Sequence, residues 1–110
     1  MVMTDKRTLA AGGSTTNVLQ DKIAERLLED SIIRLYVNSD KDLVTARLII
    51  GDSAAVDDEE VSDRGAAIER DKDLLSEELG LAGDKVILRY TNANAAAAVI
   101  RTMVALEPVG

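Results

Sequence analysis

From Ser31 onward the apolar positions of this chain recur at every second residue. In "SIIRLYVNSD", Ile33, Leu35 and Val37 face one way, and Ile32, Arg34 and Tyr36 face the other. "LVTARLII" repeats the pattern, with Val44, Ala46, Leu48 and Ile50 set against Thr45, Arg47 and Ile49. Such alternation marks strands with one buried face, and the turn-forming cluster "NSDKD" between the two runs predicts a hairpin. Gly51-Asp52-Ser53 interrupts the pattern, and residues 54–61 predict a short strand or an extended loop. Near the end, Val86, Leu88 and Tyr90 alternate with Ile87, Arg89 and Thr91. A turn at Asn92-Ala93-Asn94 and a last run from Ala95 to Leu106 predict a closing hairpin.

Two stretches break the period of two. In "NVLQDKIAERLLED", Leu19, Ile23 and Leu27 lie at helical spacing, and Asn17 with Gln20 fits a capping box, so residues 17–30 predict a helix. In "DKDLLSEELGLAGDK", Asp73 is placed to cap a helix of one or two turns that continues through Glu77 and Glu78. Gly80 stands where a left-handed stop belongs, with Leu81 folding back. Residues 1–16, ending in "LAAGGSTT", read as a flexible N-terminal arm. The prediction is therefore a mainly β chain, with residues 17–110 forming a single-domain antiparallel β-sandwich or jelly-roll-like barrel that carries one or two short helices.

Composition narrows what such a domain does. The chain has 110 residues, two tyrosines as its only aromatics, no Cys and no His. A core of Leu, Ile, Val and Ala without large aromatic anchors is thin, and neighbouring subunits are expected to add burial. Without Cys there is no disulfide framework and no thiolate; without His, the usual agent of acid–base catalysis near neutral pH is missing. Ser14 and Ser76 have no His to activate them, and no phosphate loop or dinucleotide fingerprint occurs. The expectation is that the chain is not an enzyme. Thirteen basic residues against 20 acidic ones give a formal charge of −7. That balance favours solubility and argues against direct nucleic-acid binding, where phosphate contacts supply most of the affinity. No apolar run approaches the roughly 20 residues of a membrane span, and Met1 to Arg7 lacks a secretion-signal core.

Three clusters invite functional readings. Asn38, Asp40 and Asp42 alternate like the opening ligands of a calcium loop, but that loop needs a Gly and a Glu where Leu43 and Ile49 stand, so a solvated turn is the better reading. The run Asp57, Asp58, Glu59 and Glu60, with Asp63 near it, is a weak candidate for a divalent cation such as calcium. The alternative is a charged loop that protects an edge strand. No other cofactor is expected. Ala95, Ala96, Ala97 and Ala98 open the final strand despite the poor strand propensity of Ala. They are candidates for a flat subunit contact, or else lie beneath a loop or opposite bulky residues of a tapering barrel.

The order of these pieces resembles small virion proteins of bacteriophages. The features that carry the likeness are the Gly/Ser/Thr-rich start, the strand pair ending in "LIIGD", then "RDKDLL", and finally "GLAGDKVILRYTNANAAAAVIRTMVALEPV". The pattern spans about Thr15 to Val109 as a succession of short motifs. The resemblance implies a compact jelly-roll-like coat, capsid or decoration subunit that self-assembles or binds other virion proteins. It also implies a protein made in the host cytoplasm and located in the virion. It would suit a strand at residues 17–30 better than a helix. The competing class is a β-sandwich module that binds a carbohydrate or protein ligand, for which Tyr36 and Tyr90 would have to supply the stacking surface.

Overall fold

The computed structural model describes residues 1–20, 22 and 25–109. Seven strands and one helical turn follow one another: β1 (Val2–Leu9), β2 (Ser31–Ser39), β3 (Val44–Ile50), β4 (Ser53–Glu60), α1 (Arg70–Asp73), β5 (Leu74–Gly80), β6 (Val86–Asn92) and β7 (Ala98–Pro108). They make two antiparallel sheets, one in the order β1-β7-β2-β5 and the other in the order β4-β3-β6. The alternation seen in the sequence is what joins them. Ile33, Leu35, Val37, Ile100 and Val104 of the first sheet meet Val44, Leu48, Val86, Leu88 and Tyr90 of the second in one buried core.

The connectivity has a simple origin. Partners lie at roughly mirrored positions about a tip at Gly51-Asp52: Ile50 with Ser53, Ser31 with Gly80, Ser14 with Thr91, and Val2 with Ala105. The chain is thus one long antiparallel ribbon, and rolling it up brings β7 beside β2 and β3 beside β6. This is the jelly-roll plan with one of its eight strands reduced. The reduced strand is the segment Ser14–Val18, which runs antiparallel to β6. Its amides at Thr15 and Val18 donate to the carbonyls of Tyr90 and Leu88. The rest of the pairing passes through side chains. Asn17 Oδ1 accepts from the amides of Leu19 and Leu88, its Nδ2 donates to Val86, and Thr15 Oγ1 accepts from the Tyr90 amide.

Several expectations are corrected. Residues 2–9 of the presumed arm form β1, paired residue by residue with β7. Their alternation is masked because Asp5 and Arg7 occupy positions on the same side as Met3 and Leu9, where they form an ion pair at 2.7 Å. The described residues among 17–30 carry neither the helix nor a regular strand. Gln20, Lys22 and Glu25 donate to carbonyls three residues back, a series of tight turns, and Asn17 makes a local turn instead of a helix cap. Val18, Leu19 and Leu27 still reach the core, while Ile23 lies outside the described residues.

Neither predicted hairpin forms, because β2 and β3 lie in different sheets, as do β6 and β7. Their turn clusters carry the chain from one layer to the other. The expected helix beyond Asp73 is a single turn ending there, and Glu77 and Glu78 belong to β5. Gly80 is not left-handed; it is needed for space, since a Cβ there would stand 2.4 Å from Leu27 Cδ1 and 2.9 Å from Ile33 Cδ1.

Candidate functional site

Two inner strands, β2 of the first sheet and β3 of the second, each point an arginine outward, and the surroundings of these two arginines differ. On β2, Arg34 lies between carboxylates, with Nε 2.6 Å from Glu77 of β5 and Nη1 2.6 Å from Glu107 of β7. On β3, Arg47 stands directly across from Arg89 of β6. Like charges at directly opposed strand positions repel. The nearest compensation is Asp57, 3.8 Å from Arg47 with both side chains largely exposed, and such a contact contributes little. Arg89 has no ion-pair or hydrogen-bond partner among the described residues.

The local backbone builds a groove around this pair. On β4 the register slips between the partners of Ala46 and Leu48, so Asp57 and Asp58 together oppose Arg47. A bulge of this kind redirects side chains. Asp58 adopts a left-handed φ of 51°, a conformation that Asp tolerates better than most residues. On the far side, the reduced strand at β6 brings up the hydroxyls of Ser14, Thr15 and Thr16. The resulting groove of about 320 Å³ is lined by those three residues with Arg47, Asp58 and Arg89.

The outer face of the other sheet is closed where the β4–β5 connection folds over it. Asp73, whose side chain is wholly buried, accepts from Arg64 Nε at 3.1 Å and Nη2 at 2.5 Å, from Asn38 Nδ2 at 3.1 Å, and from the Glu69 amide at 2.8 Å. Burial alone would push its carboxyl up. The guanidinium, the amide and Asn38 outweigh that effect and hold it below the ordinary carboxylate range. Arg70 covers the ring of Tyr36 at 5.8 Å. Asn38 Oδ1 is buried without a partner among the described residues.

The residues singled out from the sequence are dispersed. Asp40 Oδ1 accepts from the Val99 amide at 2.8 Å, and Asp42 Oδ1 from Asn94 Nδ2 at 2.6 Å, so both tie the crossover loops together. In the acidic run, Asp57 approaches Arg47, Asp58 lines the groove, and Glu60 Oε1 accepts from the Leu43 amide at 2.9 Å. Among the described residues no three acidic side chains converge to hold a metal ion. Ala95–Ala97 are exposed in the β6–β7 connection rather than in a strand, and Ala98 is the buried first residue of β7, paired with Leu9.

Tyr90 is fully buried, its hydroxyl 2.5 Å from Thr102 Oγ1, and Tyr36 is 5 % exposed. Neither ring forms an exposed stacking platform. Sequence reasoning placed Arg47 and Arg89 on outward faces but did not join them, because their meeting depends on a register between distant strands.

No protein-family model matches the chain, and comparison with curated proteins finds no significant match. No helix among the described residues is long and apolar enough to cross a membrane.

Proposed function

We propose that this chain is a structural subunit of a virus particle, a capsid, coat or decoration protein acting through contacts with copies of itself or with other virion proteins. The observation that carries the reading is the mirror pairing about Gly51-Asp52, which makes the whole domain one rolled ribbon. That plan occurs in viral capsid and lectin domains among others, so the step from fold to function is one of analogy. The second support is the free edge of β5. Leu74 and Leu79 on the strand and Leu81 just beyond it are each about half exposed, beside the edge of β4, and among the described residues neither edge is paired. An unpaired edge flanked by exposed leucines offers a surface for a neighbouring subunit. A lectin-like reading has less support, because neither tyrosine is available to stack on a sugar.

Sedimentation velocity over a wide concentration range, with and without calcium, tests the proposal. Defined oligomers or closed particles that grow with concentration are expected, and Leu79→Arg should suppress them without unfolding the monomer. A compact monomer at every concentration, or assemblies indifferent to Leu79→Arg and to changes along the β4 edge, counts against it.

A further inference from the structure

We propose that the groove between Arg47, Arg89 and the Ser14–Thr16 segment is a binding site for a phosphate-class oxyanion that carries a proton, either inorganic phosphate or the terminal monoester of a larger molecule. The pairing of Arg47 with Arg89 costs the free protein stability. Two arginines, whose side chains stay charged, stand at directly opposed positions on an exposed sheet face, in a chain whose formal charge is −7. Some outward arginines are neutralised within the protein, Arg34 through two carboxylates and Arg64 through Asp73, while Arg101 of β7 stands opposite Lys6 of β1 without the hydroxyl-lined groove found at Arg47 and Arg89. Here Arg47 has one loose contact and Arg89 has none among the described residues. A tetrahedral oxyanion between them would relieve the repulsion and accept paired N–H donors from both planar forks.

The remaining walls supply what such an ion still needs. Among the described residues the hydroxyls of Ser14 and Thr16 make no hydrogen bond, and Thr15 Oγ1 only accepts, from the Tyr90 amide, which leaves its proton to donate. Asp58 repels a fully ionised anion, and in doing so it sets the choice of ligand. A carboxylate accepts a hydrogen bond from an oxyanion with an O–H and repels one without it. Phosphate monoesters, with a second pKa of about 6, and inorganic phosphate, which holds its proton to still higher pH, carry an O–H in slightly acidic solution; sulfate and the phosphodiesters of nucleic acid do not. The bulge at Asp57-Asp58 and the left-handed backbone of Asp58 are what bring this carboxylate to the groove. The inference stands apart from the assembly reading, because it concerns one chain alone.

Isothermal titration calorimetry at about pH 6 and low ionic strength, on the full chain, tests it with inorganic phosphate, glycerol phosphate, sulfate and dimethyl phosphate as probes. Saturable binding of phosphate is expected, with sulfate and dimethyl phosphate at least ~10-fold weaker. Arg47→Gln and Arg89→Gln should each weaken phosphate by about 10-fold or more, the loss of a charged hydrogen-bond partner. Asp58→Asn should narrow the gap between phosphate and sulfate. Glycerol phosphate binding as well as phosphate identifies a monoester terminus as ligand, and binding of phosphate alone identifies the free ion. Both arginines are exposed, so the variants fold, which their thermal melting verifies. Phosphate that fails to bind, or binds the Gln variants unchanged, overturns the site. Equal affinity for phosphate and sulfate overturns the role of Asp58.

Discussion

Arg34 and Arg47 occupy equivalent places, each pointing outward from an inner strand of its sheet, yet the fold treats them in opposite ways. Arg34 is held by Glu77 and Glu107, on a sheet whose outer face is further closed by the β4–β5 connection and the Asp73 cluster. Arg47 is set against Arg89, on a face left open. An arginine whose charge is answered by neighbouring carboxylates, as Arg34 is, needs nothing from outside the chain. An arginine set against another in a polar groove, as Arg47 is, leaves its charge available to a ligand of opposite sign. The difference separates the face that supports the fold from the face that offers chemistry.

The closed face gives the largest expected effect. Replacing Asp73 with Ala strands Arg64 and removes four hydrogen bonds from a buried carboxylate, which should cost about 3 kcal/mol in urea denaturation. The pH dependence has a definite sign. Because the folded carboxyl lies below its ordinary value, its contribution is complete above the unfolded value, near ~3.9, and is lost as pH falls through the lower folded value. The stability gap between wild type and Asp73→Asn should therefore be wide at pH 6 and shrink as the pH falls below about 4. A gap of equal size throughout would show that the carboxylate charge is not what closes this face.

The open face depends on the Ser14–Thr16 wall, and that wall depends on Asn17. Its side chain replaces strand pairing with Leu88 and Val86, so Asn17→Ala should lose about 2 kcal/mol and accelerate hydrogen exchange at the Leu88 amide. Unchanged protection at Leu88 would mean that backbone contacts alone hold the wall. Between the two faces, the Tyr90–Thr102 hydrogen bond joins the sheets. Burial pushes the Tyr90 phenol up, so it stays neutral through ordinary pH. Tyr90→Phe and Thr102→Val should each cost about 1 kcal/mol, and the double variant less than their total. Strict additivity would remove this bond from the account.

These features also mark what the sequence made legible. Alternation identified β2, β3, β6 and most of β7, and with them a β-sandwich or jelly-roll-like plan. It did not identify partners. "NSDKD" and "NAN" have hairpin chemistry, but a turn records only that the chain reverses, not whether it returns in the same layer. β1 was hidden because Asp5 and Arg7 stand where apolar residues were sought. The Ser14–Val18 segment was hidden because Asn17 and Thr15 pair through side chains that periodicity does not register. The same limit applied to the groove. Arg47 and Arg89 are each unremarkable in sequence, and only the β3–β6 register makes them neighbours.

The smallest effect separates the two faces most directly. If Arg47 and Arg89 repel, removing one charge should stabilise the free protein, by a few tenths of a kcal/mol on the scale of cross-strand like-charge pairs. Arg89→Gln should accordingly raise the urea midpoint in a dilute buffer free of phosphate. Adding phosphate should then stabilise the wild type and leave the variant nearly unmoved, since a ligand stabilises only the form that binds it. Arg34→Gln should behave in the opposite way, losing stability in dilute buffer because its charge is already answered by Glu77 and Glu107. If both substitutions lower stability alike, Arg89 is held by contacts of its own and the distinction between a closed and an open face fails. If only Arg34→Gln does, then the unfavourable pairing on the second sheet is present in the free protein and is relieved from outside it.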